Sequence, residues 1–261
     1  MKPLLILSAV LYAAGFITVV FYHILKKSGL SAFSAWCLYA GVASHAAAVV
    51  LRTYLSGHLP IASVDETLLF YSCVTAALSA IVVLRYGERF TELVTMPVAI
   101  FTMFVSLFIM SEPRKLPLIL RTYWFEVHVL TSFAAYSLFT LAFSGAVLYL
   151  IFAGGMGGAV ENPGDFQDIA GRGMLWGFLF FSASMFAGAV WAYLAWGMYW
   201  MWEPKILWSF IVWFWYAGAI HFFYVRQWKA KGLSAAAIIG FVIVAFTYLG
   251  VGLLMKSSHS F

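Results

Sequence analysis

Apolar residues along this chain run in blocks of roughly 18 to 25, and polar residues cluster in the gaps between them. Each block is long enough to cross a hydrocarbon core of about 30 Å as a helix. Eight such blocks are predicted at 3–25, 31–51, 67–84, 93–110, 126–154, 174–196, 205–226 and 233–255. The expected fold class is therefore all-α: a polytopic integral membrane protein of about eight transmembrane helices. The first block starts near Met1, lacks a small-residue cleavage site and is followed by further spans, so it reads as a retained helix. The expectation is one transmembrane domain over 1–261, with no space for a sizeable soluble domain.

Composition sharpens this. Of 261 residues, 64% are hydrophobic and 10% charged, and the mean hydropathy is +0.94, outside the range of soluble domains. The formal charge of +5 is scattered over short connectors without a basic stripe, which argues against nucleic acid as a partner. About eight Lys and Arg lie in the connectors after spans one, three, five and seven, against about seven on the other side. Three of those seven, Arg121, Lys205 and Lys256, lie close to a candidate site. The positive-inside rule then puts the first set in the cytoplasm and both termini outside. Cys37 and Cys73 lie within apolar blocks without a CxxC partner and read as small core residues. Residues 155–173, rich in Gly, read as a cytoplasmic connector.

Two features carry chemistry. The first is WGMYWMWEPKILW at 196–208, where Trp196, Trp200, Trp202 and Trp208, with Trp191 just upstream, crowd one span–loop–span junction around Glu203-Pro204-Lys205. An aromatic belt spreads Trp over several helix ends. Here the rings concentrate at one, and a flat apolar ledge beside a carboxylate and an ammonium suits a large planar ligand with acidic groups, such as haem. The segment 191–208 is therefore the candidate external haem-binding element.

The second feature is six histidines, costly in or beside a bilayer. By their places in the spans, His128 and His259 lie at the external ends of spans five and eight and make a natural pair to flank the ledge, with His58 as a spare in the first external loop. His221 and His23 lie toward the cytoplasmic ends of spans seven and one. His45, in span two, reads as a packed, hydrogen-bonded helix histidine. Lys205 and Arg121 are candidate contacts for the haem propionates.

Four ordered stretches resemble a known family, the tryptophan-rich haem-handling proteins of cytochrome c maturation, in the CcsA (ResC) branch of the system II cytochrome c synthases. They are GHLPIASVDETLLF, YWFEVHVLTSFAAYSLF, GAVWAYLAWGMYWMWEPKILWSFIVWFWYAGAIH and the ending YLGVGLLMKSSHSF. Glu203 stands where the family signature has Asp, Ile206 where Glu is usual, and Phe261 where the ending has Tyr.

The resemblance implies that His128 and His259 are the external axial ligands of haem b, which is both ligand and substrate. It also implies that His221 is an intramembrane ligand on the export route. The second intramembrane ligand usually comes from a CcsB-like membrane partner, and His23 is the candidate substitute within this chain. The implied activity is holocytochrome c synthase (haem lyase) chemistry at the external face of the bacterial inner membrane. It attaches haem to an apocytochrome c bearing CxxCH that thiol-reducing proteins keep reduced. Two other readings stay open: a non-catalytic haem-binding membrane protein that regulates or holds haem, and a subunit with permanent b-type haems for electron transfer.

Overall fold

The computed structural model describes residues 1–112, 115–154, 162–225 and 230–255, and contains no strand among them. Among the described residues eight helices are long and apolar enough to cross a membrane, and the chain is an integral membrane protein. In a bilayer every backbone polar group must find its partner within the segment, which leaves the helix as the solution for blocks of this length. The chain divides into two compact units, 1–118 and 119–261.

The first unit contains α1 (Lys2–Leu25), α2 (Ser28–Ser56), α3 (Val64–Tyr86) and α4 (Glu92–Ile109). α1 packs on α2 and α4, and α3 packs on α4 and α2, which closes a four-helix ring. Its core is filled by Leu5, Tyr12, Leu38, Leu69, Met96 and Met103. The second unit contains α5 (Tyr123–Ala153), α6 (Gly164–Trp196), α7 (Pro204–Tyr224) and α8 (Lys231–Ala245). α8 runs on through a π-helical turn, Phe246–Gly250, into the short α9 (Val251–Leu254). α5 packs on α6 and α8, and α7 packs on both α6 and α8.

One correction to the expected spans is substantial. α6 begins at Gly164, ten residues before the predicted start at 174, so residues 164–173 are helix rather than connector. Gly171 and Gly173 there serve close packing instead of loop flexibility. A Cβ on Gly173 would come 2.9 Å from the Leu138 carbonyl oxygen, and one on Gly145 of α5 would come 2.5 Å from that of Phe166. Small residues that let backbones approach this closely are how helices associate where no hydrophobic gain separates them from lipid.

Candidate functional site

The tryptophan segment is set up by the ends of two helices. α6 stops at Gly197, whose φ of 75° lies in the left-handed region that a Cβ disfavours, and its N–H closes the helix onto Tyr193 O. α7 restarts at Pro204, whose fixed φ and missing N–H suit a first helical position, with Glu203 as the extended N-cap residue before it. Residues 198–203 are thus a short link between two abrupt ends. Trp202 is 82% exposed, and Met198 and Tyr199 are also exposed.

The rings fall into three groups. Trp191, 3% exposed, meets Trp196 edge-on at 4.9 Å between centroids and Phe125 at 5.2 Å. Its Nε1–H donates to Ile119 O at 3.1 Å, which ties the segment preceding α5 to α6. Trp200 meets Trp202 at 5.6 Å and Phe210 at 4.6 Å. Trp208 packs on Phe246, at the π-helical turn, at 4.5 Å. Lys205 lies in the first turn of α7 two residues after Glu203, and Arg121 is exposed just before α5.

His128 joins the first ring group. Its ring lies 6.3 Å from that of Trp191 with the planes 17° apart. Its Nδ1 is 2.9 Å from Ser184 O on α6. A carbonyl oxygen only accepts, so Nδ1 carries the proton and Nε2 carries the lone pair. Ser132, one turn along α5, and Ser184 complete the arrangement, with their hydroxyls 2.5 Å apart. Neither serine, nor Gly188 beneath the ring, stood out in the sequence. The available signal was helical spacing: Ser132 follows His128 by four, and Ser184, Gly188 and Trp191 share one face of α6.

The other histidines separate by chemistry. His221 is exposed on α7, and its Nδ1–H donates to Ala217 O at 2.9 Å, so it too carries its lone pair on Nε2. His58 donates in the same way to Leu59 O at 2.7 Å. His45 is fully buried with Nδ1 3.3 Å from the Tyr12 hydroxyl, the packed role its sequence position suggests. His23 stacks on Phe90 at 4.0 Å in the first unit. His259 and Lys256 lie outside the described residues. Groups of three or more His, Cys, Asp or Glu able to hold a metal ion are absent among the described residues. His128 and His221 share the arrangement in which Nδ1 carries the proton and Nε2 the lone pair.

A polar cluster unseen in the sequence occupies one end of the first unit. Arg52, 1% exposed, donates from Nε to Glu66 Oε1 at 3.0 Å, pairs with Asp65 at 3.4 Å, and donates from Nη1 to Ser111 O at 3.2 Å. Glu66 also accepts from Ala62 N at 3.0 Å, and Asp65 accepts from the Ser63 hydroxyl at 2.6 Å and from Ser111 N at 3.2 Å. The stretch GHLPIASVDETLLF is therefore held in place around a buried guanidinium.

A family model described as "Cytochrome C assembly protein" matches residues 61–259. The chain is similar to cytochrome c biogenesis protein CcsA of Prochlorococcus marinus (strain MIT 9515), 28% identical over 245 residues that cover 82% of this chain and 78% of the relative. It is likewise similar to CcsA of Synechococcus sp. (strain CC9902), 29% identical over 248 residues, with 82% of each chain covered. Among solved structures it shares its fold with the cytochrome c haem lyase CcmF at a TM-score of 0.76 and 14% identity, covering 98% of this chain and 46% of that one. This chain thus spans less than half the length of that structure. These relatives agree with the kinship read from the four sequence stretches, and the chain belongs to the cytochrome c assembly protein family.

Proposed function

We propose that this protein handles haem in cytochrome c biogenesis. It acts as the CcsA-type subunit of a holocytochrome c synthase and presents haem b at the external face of the bacterial inner membrane. The observation that carries the reading is the tautomer of His128. Its Nδ1–H is committed to Ser184 O, so Nε2 is the nitrogen that faces a metal, beside a concentration of indole rings. His259 is the proposed second axial ligand. Trp196, Trp200, Trp202 and Trp208 are the proposed apolar ledge, Lys205 and Arg121 the propionate contacts, and Glu203 the carboxylate of the same haem-binding segment. His221 is the proposed intramembrane ligand on the export route. A CcsB-like membrane protein supplies the second ligand there, with His23 the alternative within this chain.

The chain's part in the reaction is positional. Holding the porphyrin at the membrane surface with its vinyl edge outward lets the two thiols of a CxxCH segment meet two vinyl groups at high effective concentration. Each cysteine S–H then adds across a vinyl C=C. A sulfur–carbon bond forms, the thiol proton goes to the neighbouring carbon, and no external oxidant or reductant is consumed. Thiol-reducing proteins keep the apocytochrome cysteines able to react. The histidine of CxxCH replaces one protein ligand on iron, which releases the product.

The test is to purify the protein in mild detergent with a CcsB-like partner and record haem content and ligation for wild type, His128→Ala, His259→Ala and His221→Ala. A CxxCH peptide is then supplied with haem. Loss of haem or of the low-spin spectrum in the two external variants, with thioether formation in wild type, is the expected result. Full haem retention in both external variants overturns the axial assignment. Haem binding that depends on those histidines without thioether formation identifies a haem-holding protein, the reading that the Ile206 and Glu203 departures favour.

A further inference from the structure

His128 is held by more than one bond. Its Nδ1 reaches both the carbonyl oxygen of Ser184 at 2.9 Å and the Ser184 hydroxyl at 3.1 Å. Ser132 Oγ is 2.8 Å from His128 O, and the two serine hydroxyls meet at 2.5 Å. With the carbonyls as acceptors, Nδ1–H is shared between the two oxygens of Ser184, and the serine pair has two proton assignments: Ser132 donates to His128 O and Ser184 to Ser132 Oγ, or Ser184 donates to His128 O, 3.1 Å away, and Ser132 to Ser184 Oγ. Both serines are buried. Gly188, one turn further along α6, leaves the space in which the imidazole sits: a Cβ there would stand 2.6 Å from Nδ1 and 2.9 Å from Cε1.

We propose that Ser184, Ser132 and Gly188 are positioning residues for His128. They hold its ring as the Nδ1–H tautomer, at a fixed tilt beside Trp191, with Nε2 directed as an electron-rich ligand. The inference rests on the proposed ligation of haem iron by His128 and adds what sets the strength of that bond. An imidazole whose N–H donates to a carbonyl is a better electron donor to a metal and favours the ferric over the ferrous state. Such outer partners typically change metal affinity by about 10- to 100-fold when removed. Gly188 acts by volume and the serine pair by orientation, so their loss converges on one property from two independent directions.

The experiment uses the full chain, loaded with haem and purified as above, in wild type, Gly188→Ala, Ser132→Ala/Ser184→Ala and His128→Ala. Gly29→Ala is the control for the same change on a helix where nothing lies within 4 Å of the new methyl. Three quantities are read: the rate of haem transfer to excess apomyoglobin, the ferric/ferrous midpoint potential, and the low-spin absorption spectrum. Gly188→Ala is expected to release haem about 10- to 100-fold faster and to shift the potential positive. The double serine variant moves both in the same direction by less, since the Ser184 carbonyl is retained, and Gly29→Ala moves neither. If His128→Ala keeps the wild-type spectrum and release rate, the haem-ligand reading fails and this inference fails with it. If His128→Ala loses the low-spin spectrum while Gly188→Ala and the double serine variant keep wild-type release and potential, the ligand reading stands and the positioning proposal is overturned. Should Gly188→Ala not fold, the double serine variant alone decides between these outcomes.

Discussion

At the scale of single residues, Arg52 and His128 show how a low-dielectric interior assigns partners. Arg52 is enclosed with two carboxylates, Asp65 and Glu66, and with the carbonyl of Ser111. Removing one member of a buried ionic group leaves uncompensated charge and costs about 3–5 kcal/mol, more than the intact group itself contributes. Arg52→Ala is therefore expected to lower the thermal midpoint in detergent sharply. Glu66→Gln, which keeps an oxygen for Arg52 and leaves Asp65 as the counter-charge, is expected to have a smaller effect. Equal midpoints for Arg52→Ala and wild type would show that the cluster is not closed to water. The histidines illustrate a related point. The sequence sorts six imidazoles by their places along the spans and is silent on their hydrogen-bond partners. Their neighbours divide them into His45, which meets a tyrosine hydroxyl, and His128 and His221, whose Nδ1–H is taken by a carbonyl. The partner of His128 comes from residue 184, so no local reading of the α5 segment reveals it.

At the scale of elements, the α5–α6 pair is decided by glycines whose role depends on what faces them. Gly145 and Gly173 lie against backbone atoms of the opposite helix, and no rotamer change relieves a methyl placed there. Gly145→Ala is expected to force the helices apart and cost about 1–3 kcal/mol. Gly29→Ala, in open space on α2, is expected to be neutral or stabilising by about 0.5–1 kcal/mol. Thermal unfolding of the two variants side by side measures the difference, and similar midpoints would remove the argument for a glycine-lined seam. The same physics explains the late start predicted for α6. Glycine within 164–173 reads as a helix breaker by propensity. Contact with α5 overrides that propensity, because a small residue is the one that permits close approach. The π-helical turn at Phe246–Gly250, whose first residue packs on Trp208, is a second feature that periodicity did not show.

At the scale of the whole molecule, we propose that an even number of spans puts both termini on one side and, from the distribution of Lys and Arg, that this side is the external one. Alkaline phosphatase joined after Phe261 is therefore expected to be active in cells and the same enzyme joined after Gly87 inactive. The reverse pattern would invert the orientation and move the tryptophan segment to the cytoplasmic face, out of reach of an exported apocytochrome. The sequence by itself determined the membrane character, the eight spans, the tryptophan-rich junction and the kinship with CcsA. Bilayer thickness imposes a minimum apolar length that composition alone reveals, and motifs contiguous in the chain need no folding to be seen. Only the tertiary structure decided which serines support His128, which carboxylates enclose Arg52, and that glycines at 164–173 belong to a helix. Each of these depends on atoms brought together from distant parts of the chain, where the satisfaction of buried polar groups and close packing, rather than local preference, select the partners.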